Sequence, residues 1–125
     1  MLTQAMHNQN RVLGAAMHAQ AARIDVINNN IANVDTPGFI AGAVEFETAL
    51  GRAIDNWRST GRLDVSRVTP SLRAQDPGFM FRMDRNNVDI ESEMARLYVS
   101  TVRYEVMVNA VLNNSQRLNA AISGR

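Results

Sequence analysis

No cysteine occurs among the 125 residues, which removes disulfides, thiol nucleophiles and Cys-ligated metal sites from consideration. Lysine is missing too: all thirteen basic residues are arginine, a bias that carries no chemical reading of its own. A net charge of +1 is too weak a field to recruit nucleic acid or an anionic membrane surface. Long apolar runs are absent as well, since Val12 to Met17 is short and broken by Gly14. The opening residues lack the positive start and apolar centre of a cleaved secretory signal, so any export would use a route without one.

Catalytic signatures are equally scarce. There is no Gly-rich phosphate loop, no nucleophile elbow and no HExxH. His7 and His18 are eleven apart and fall on different helical faces, so one helix cannot bring them to a single metal. The run Asp84 to Asp89 opens like a calcium loop but has Val88 at the third ligand position and no following glycine. Glu45 and Glu47 are two apart and point to different faces of a helix. No catalytic, metal or cofactor residue is assigned, and the chain reads as a non-enzyme.

What is present is periodicity, in a chain whose 46% hydrophobic and 20% charged content is that of a globular domain. Near the C-terminus, heptad positions a fall on Met94, Thr101, Val108, Ser115 and Ile122. Positions d fall on Ile90, Leu97, Tyr104, Val111 and Leu118. The register holds over five heptads, which is a coiled-coil pattern. Tyr98, Val102 and Leu112 widen the stripe, so this helix is expected to touch more than one neighbour. Asp89 is placed to cap it, with Glu91 and Glu93 favourably near its positive end. In the N-terminal third the same pattern is firm only from Leu13 to Val34, with Met17, Ile24 and Ile31 at a and Leu13, Ile27 and Val34 at d. Each helix would be roughly 45–50 Å long, which suits a rod-like hairpin.

Between them, Phe46, Leu50, Ile54 and Trp57 predict a short helix over 43–57. Turn formers then divide 59–87, where the runs Leu63–Val68 and Phe79–Met83 are candidates for a small β-hairpin. The expected fold is therefore mainly α, a single domain. It comprises an N-terminal helix (1–35), a turn, short helix and irregular middle (36–88), and a C-terminal helix (89–123).

Residues 1–34 hold three charges, Arg11, Arg23 and Asp25, against nine Asn or Gln. A helix facing water normally carries charge on its outer face. Amides there suit packing against other subunits, where they can bond without burying an unpaired charge. Asn28, Asn29, Asn30 and Asn33 are accordingly expected to bond between subunits. In the stretch "NNNIANVDTPGF", Pro37 ends the helix and Gly38 supplies the positive φ of a type II turn from Thr36 to Phe39.

That stretch resembles the Asn-Ile-Ala-Asn-x-x-Thr-Pro-Gly-Tyr/Phe motif of bacterial flagellar rod and hook proteins, and "NNVDIESEMARLYVSTVRYEVMVNAVLNN" resembles their C-terminal helix. Length and the Asp-Ile-Glu-x-Glu-Met-Ala-Arg-Leu run point to the shortest members, those of the proximal rod. The resemblance implies a structural subunit that self-assembles helically into the drive shaft crossing the periplasm, exported unfolded through the type III apparatus. It implies terminal helices paired as an antiparallel coiled coil. The seam would use Ile24, Ile27, Ile31 and Val34 against Ile90, Met94, Leu97, Tyr104, Val108, Val111, Leu118 and Ile122. The assembly motif would be Asn30, Ile31, Ala32, Asn33, Thr36, Pro37, Gly38 and Phe39. Implied partners are copies of itself, the rod protein FlgC, the adaptor FliE, the export gate and the membrane-supramembrane ring, with no nucleic acid or small-molecule ligand. Phe39 stands where many members carry tyrosine, and "IAGAVEF" lacks their usual charges. The paralogous FlgC itself and a free-standing coiled-coil adaptor or chaperone are the alternative readings.

Overall fold

The computed structural model describes residues 1–76 and 82–124. Helix α1 runs Leu2–Ala32, strand β1 Gly42–Glu45, helix α2 Glu47–Thr60, strand β2 Ser71–Ala74 and helix α3 Ile90–Ser123. The long helices α1 and α3 pack along each other, antiparallel, while β1 and α2 lie against α1.

The ends of each element follow from local chemistry. Asp89 caps α3, its carboxylate accepting from the amides of Glu91 (3.1 Å) and Ser92 (3.3 Å). Gly61 closes α2 at φ 72°, donating to the Trp57 carbonyl, a conformation that glycine adopts without a Cβ clash. β1 and β2 pair antiparallel, Gly42 opposite Ala74 and Glu45 opposite Ser71. A 3.2 Å ion pair joins Glu45 to Arg73 across the ladder.

Two expectations for the middle are corrected. The segment expected to start a helix at residue 43 begins as a strand, and the helix is displaced to Glu47–Thr60. Val44 and Phe46 are both buried and two apart, the spacing of a strand, although Phe46 also fits the four-residue spacing to Leu50 and Ile54. The strand partner is 71–74, not a pairing of Leu63–Val68 with Phe79–Met83. The first of those runs is coil and turn, and residues 79–81 of the second lie outside the described residues.

The apolar core is small. Ala16 and Ala19 give α1 a flat face on which Val44 and Phe46 sit, with Val26, Leu50 and Met107 at its border. Full burial of a Val or Phe side chain contributes about 1.5–3 kcal/mol, so this cluster anchors only the middle of α1. The largest fully buried side chains are instead polar: Gln20, Glu93, Asn30 and Asn86. Toward the free tips of the long helices support thins out. From 108 to 123 no side chain of α3 is fully buried, and before residue 16 only Asn8 of α1 is.

Candidate assembly surface

The end of α1 is built by its own polar residues. The Asn33 side chain donates back to the Asn29 carbonyl at 2.8 Å, and Thr36 Oγ1 donates to Asn33 Oδ1 at 3.1 Å. The chain then reverses through Thr36–Phe39, with Gly38 at φ 71° and the Phe39 amide bonded to the Thr36 carbonyl. These are the turn type and residue placement that Pro-Gly predicts. The segment entering α3 holds this turn: the Gly38 amide donates to Asp84 O at 2.7 Å and the Asn87 amide to Phe39 O at 3.3 Å. Asn86 sits beneath, its Nδ2 within 2.8–2.9 Å of the carbonyls of Asn33, Val34 and Thr36.

Amides also link the two long helices, at three levels ten residues apart along α1. Asn114 Nδ2 donates to Asn10 Oδ1 at 3.1 Å near the tips, and Gln20 Nε2 donates to the Ser100 carbonyl at 3.4 Å midway. At the closed end Asn30 Nδ2 donates to Glu93 Oε2 at 3.0 Å. Asn30 also treats Gly42 as a strand would, accepting from its amide at 2.9 Å and donating to its carbonyl at 2.8 Å. Glu93, 2% exposed, accepts further bonds from Gln75 and Arg96, each at 3.0 Å. The expectation that Asn30 bonds between subunits is thus corrected, because its buried amide is used within the chain, while Asn33 is half-buried and also bonds within its own turn. Asn28 and Asn29 remain exposed. A buried amide costs free energy unless it is paired, and pairing inside the hairpin was the alternative that helix periodicity alone did not disclose.

The seam is turned relative to the heptad reading. Ile27 is buried, and Ile24, Ile31, Val34, Leu97, Tyr104, Val108, Val111 and Leu118 are half-buried. Ile90, Met94 and Ile122 are corrected as seam residues of the single chain, being 41%, 53% and 76% exposed. Glu93, Ser100 and Met107, each one residue before an a position, face inward instead. The reason is the amide network: Asn30 and Gln20 draw Glu93 and the Ser100 backbone toward α1, which rotates the apolar residues outward. Ile90, Met94, Tyr98, Val102 and Val106 then form an exposed ridge at four-residue intervals along α3. Contiguous exposed apolar surface of this kind marks an interaction face.

Arg23 ties β1 to the start of α2. It donates to the Val44 carbonyl, pairs with Glu47 at 2.6 Å and lies 4.7 Å from the centroid of the Phe46 ring. Desolvation, the largest single influence on Glu47, raises its pKa. The Phe46 amide and Arg23 together outweigh it, and the net shift is downward from 4.5. A carboxyl held low in the folded state binds fewer protons than the unfolded chain, so its contribution is full above pH 4.5 and fades as pH falls through the folded value. Glu47→Gln is expected to flatten the acid limb of a stability-against-pH curve below that point. Because the group is half-exposed, the effect is small, under about 1 kcal/mol. Urea midpoints at about pH 3.5 and about pH 7 measure it.

Among the described residues no group of three or more His, Asp or Glu is arranged to hold a metal ion, and no helix is long and apolar enough to cross a membrane. The profile of a family described as "Flagella basal body rod protein" matches residues 11–39, from the middle of α1 through the Pro-Gly turn. Curated relatives are similar over most of the chain. Flagellar basal body rod protein FlgB of Borrelia hermsii is 36% identical, the alignment covering 80% of this chain and 84% of that protein. FlgB of Yersinia enterocolitica is 30% identical, covering 72% and 75%. FlgB of Bacillus subtilis (strain 168) is 26% identical, covering 79% and 81%.

Proposed function

The chain belongs to the flagellar basal body rod protein family, and from that premise we propose that it is a non-enzymatic structural subunit of the proximal rod, located in the flagellar basal body. The observation that carries this reading is the exposed ridge Ile90, Met94, Tyr98, Val102 and Val106 on α3. Each such side chain gains about 1.5–3 kcal/mol on full burial, and a single hairpin leaves all five wet. Neighbouring subunits cover them in an assembled shaft. The assembly motif then divides its work: Asn30 and Asn33 set the shape of the junction, while Ala32, Thr36, Pro37 and Gly38 lie on the surface where a neighbour reaches them.

Its partners on this reading are further copies of the chain and FlgC, with FliE, the export gate and the membrane-supramembrane ring at the base. On this reading export proceeds through the type III apparatus. The weakly supported tips of α1 and α3 favour this, because a chain with little buried at its ends costs little to unfold for passage and orders again on assembly. A free-standing adaptor would need its apolar ridge covered in solution, and the family relationship disfavours it.

Val106→Asp tests the reading with little cost to the fold, since Val106 is 62% exposed. In cells deleted for their own copy, this variant is expected to give no rods, while the purified variant keeps the circular dichroism of the parent. Normal rods built from Val106→Asp would overturn the proposal.

A further inference from the structure

Between α1, β1 and α3 lies an open groove of about 520 Å³. Val26, Ile27 and Val44 line it from α1 and β1, and Val99, Arg96 and Arg103 line it from α3. Arg96 is paired with Glu93, but Arg103 is exposed and, among the described residues, has neither an ion-pair nor a hydrogen-bond partner. An apolar lining beside an uncommitted guanidinium fits an apolar side chain flanked by a carboxylate. The same chain displays that combination at the start of α3. Ile90 and Met94 are exposed one turn apart, and Glu91 on the same face has a free, exposed carboxylate among the described residues.

We infer that this groove receives the Ile90–Glu91–Met94 face of a second copy of the chain, with Glu91 of one copy meeting Arg103 of the next. The inference rests on the rod-subunit reading and names one of its contacts. Nine residues, about two and a half helical turns, separate Met94 from Arg103, which sets the two surfaces on opposite sides of α3. A contact between opposite sides of one element is heterologous. It cannot close on itself as a two-fold dimer and leaves each copy with one surface free, so it propagates. Charge completes the match, since the groove side of α3 carries the arginines while the inserted face carries only a carboxylate.

Because the chain has no cysteine, engineered pairs report the contact directly. Met94→Cys and Val99→Cys variants, distinguishable by tag length, are co-produced in flagellated cells deleted for their own copy and oxidised in isolated basal bodies. The expected product is a mixed dimer, with neither variant cross-linking to itself, and the double variant gives a ladder of multimers. Arg103→Glu is expected to lower the mixed yield at least about tenfold, and adding Glu91→Arg to restore it. Cross-linking of Met94→Cys to itself, or a charge reversal that fails to restore the yield, overturns the groove contact. Absence of a mixed dimer from basal bodies that contain rods overturns it too and leaves the rod reading intact. Absence of rods with the parent chain overturns the rod reading instead.

Discussion

Asn30→Asp is expected to destabilise the purified chain by about 3–5 kcal/mol, the range for breaking one partner of a buried charged network. The two side chains have nearly the same shape, so packing does not enter. Asn30 Nδ2 is the donor to both the Gly42 carbonyl and Glu93 Oε2. Aspartate puts an acceptor there, facing a carbonyl and a second buried carboxylate, while its other oxygen still accepts from the Gly42 amide. Two like charges would share a site where Glu93 is 2% exposed. With whole-domain stabilities of about 5–15 kcal/mol, this loss brings a small chain near its limit, and the urea midpoint reads it. Adding Glu93→Gln supplies an amide donor where the carboxylate stood and is expected to recover a large part of the loss. If Asn30→Asp unfolds at the parent's midpoint, the network does not hold the closed end of the hairpin.

That network also explains which features could be read from the sequence and which could not. Pro37-Gly38 and Asp89 act through neighbours within a few residues, so the turn and the α3 cap follow from local rules. The two long helices follow from sustained apolar spacing. The seam's rotation does not, because it depends on where Glu93 and Ser100 meet Asn30 and Gln20, residues 63 and 80 positions away. Heptad spacing gave weight to Met94 and Ile122 because they are apolar; beside Met94 the single chain buries Glu93 instead, and at Ile122, near the tip of α3, it buries nothing. The amide-rich composition of α1 was a visible signal, but it fits bonding within or between chains equally well. β1 was hidden by coincidence. Phe46 satisfies both a two-residue spacing to Val44 and a four-residue spacing to Leu50, and its partner strand is fully exposed, so 71–74 shows no alternation of burial. Of the α3 ridge, Tyr98 and Val102 were legible as widening the stripe beyond one neighbour, whereas Ile90 and Met94 read as seam and Val106 fell outside both.

Asn86→Ala is expected to cost about 2–4 kcal/mol, several times the effect of a surface change. Asn86 is 1% exposed, and its Nδ2 serves three carbonyls at the end of α1 and in the turn that follows. Helix ends leave carbonyls without intrahelical partners, and here the capping donor comes from a residue more than fifty positions later. Its Oδ1 also accepts from the Val88 amide at 2.8 Å, aligning the entry to α3. One side chain therefore fixes where α1 stops and where α3 starts, and with them the orientation of the Pro-Gly turn. Hydrogen exchange should show the consequence locally: the Gly38 and Asn87 amides, which bridge the two segments, lose protection while the α2 amides keep theirs. Asn87→Ala is the informative neighbour. It removes a single acceptor from the Ala41 amide at 2.7 Å, so about 1 kcal/mol is expected. Equal effects from the two alanines would show that the end of α1 does not depend on the Asn86 amide. A large effect from Asn86→Ala alone, with rods lost in cells although the helices still form, would tie the buried amide to the surface that the turn presents.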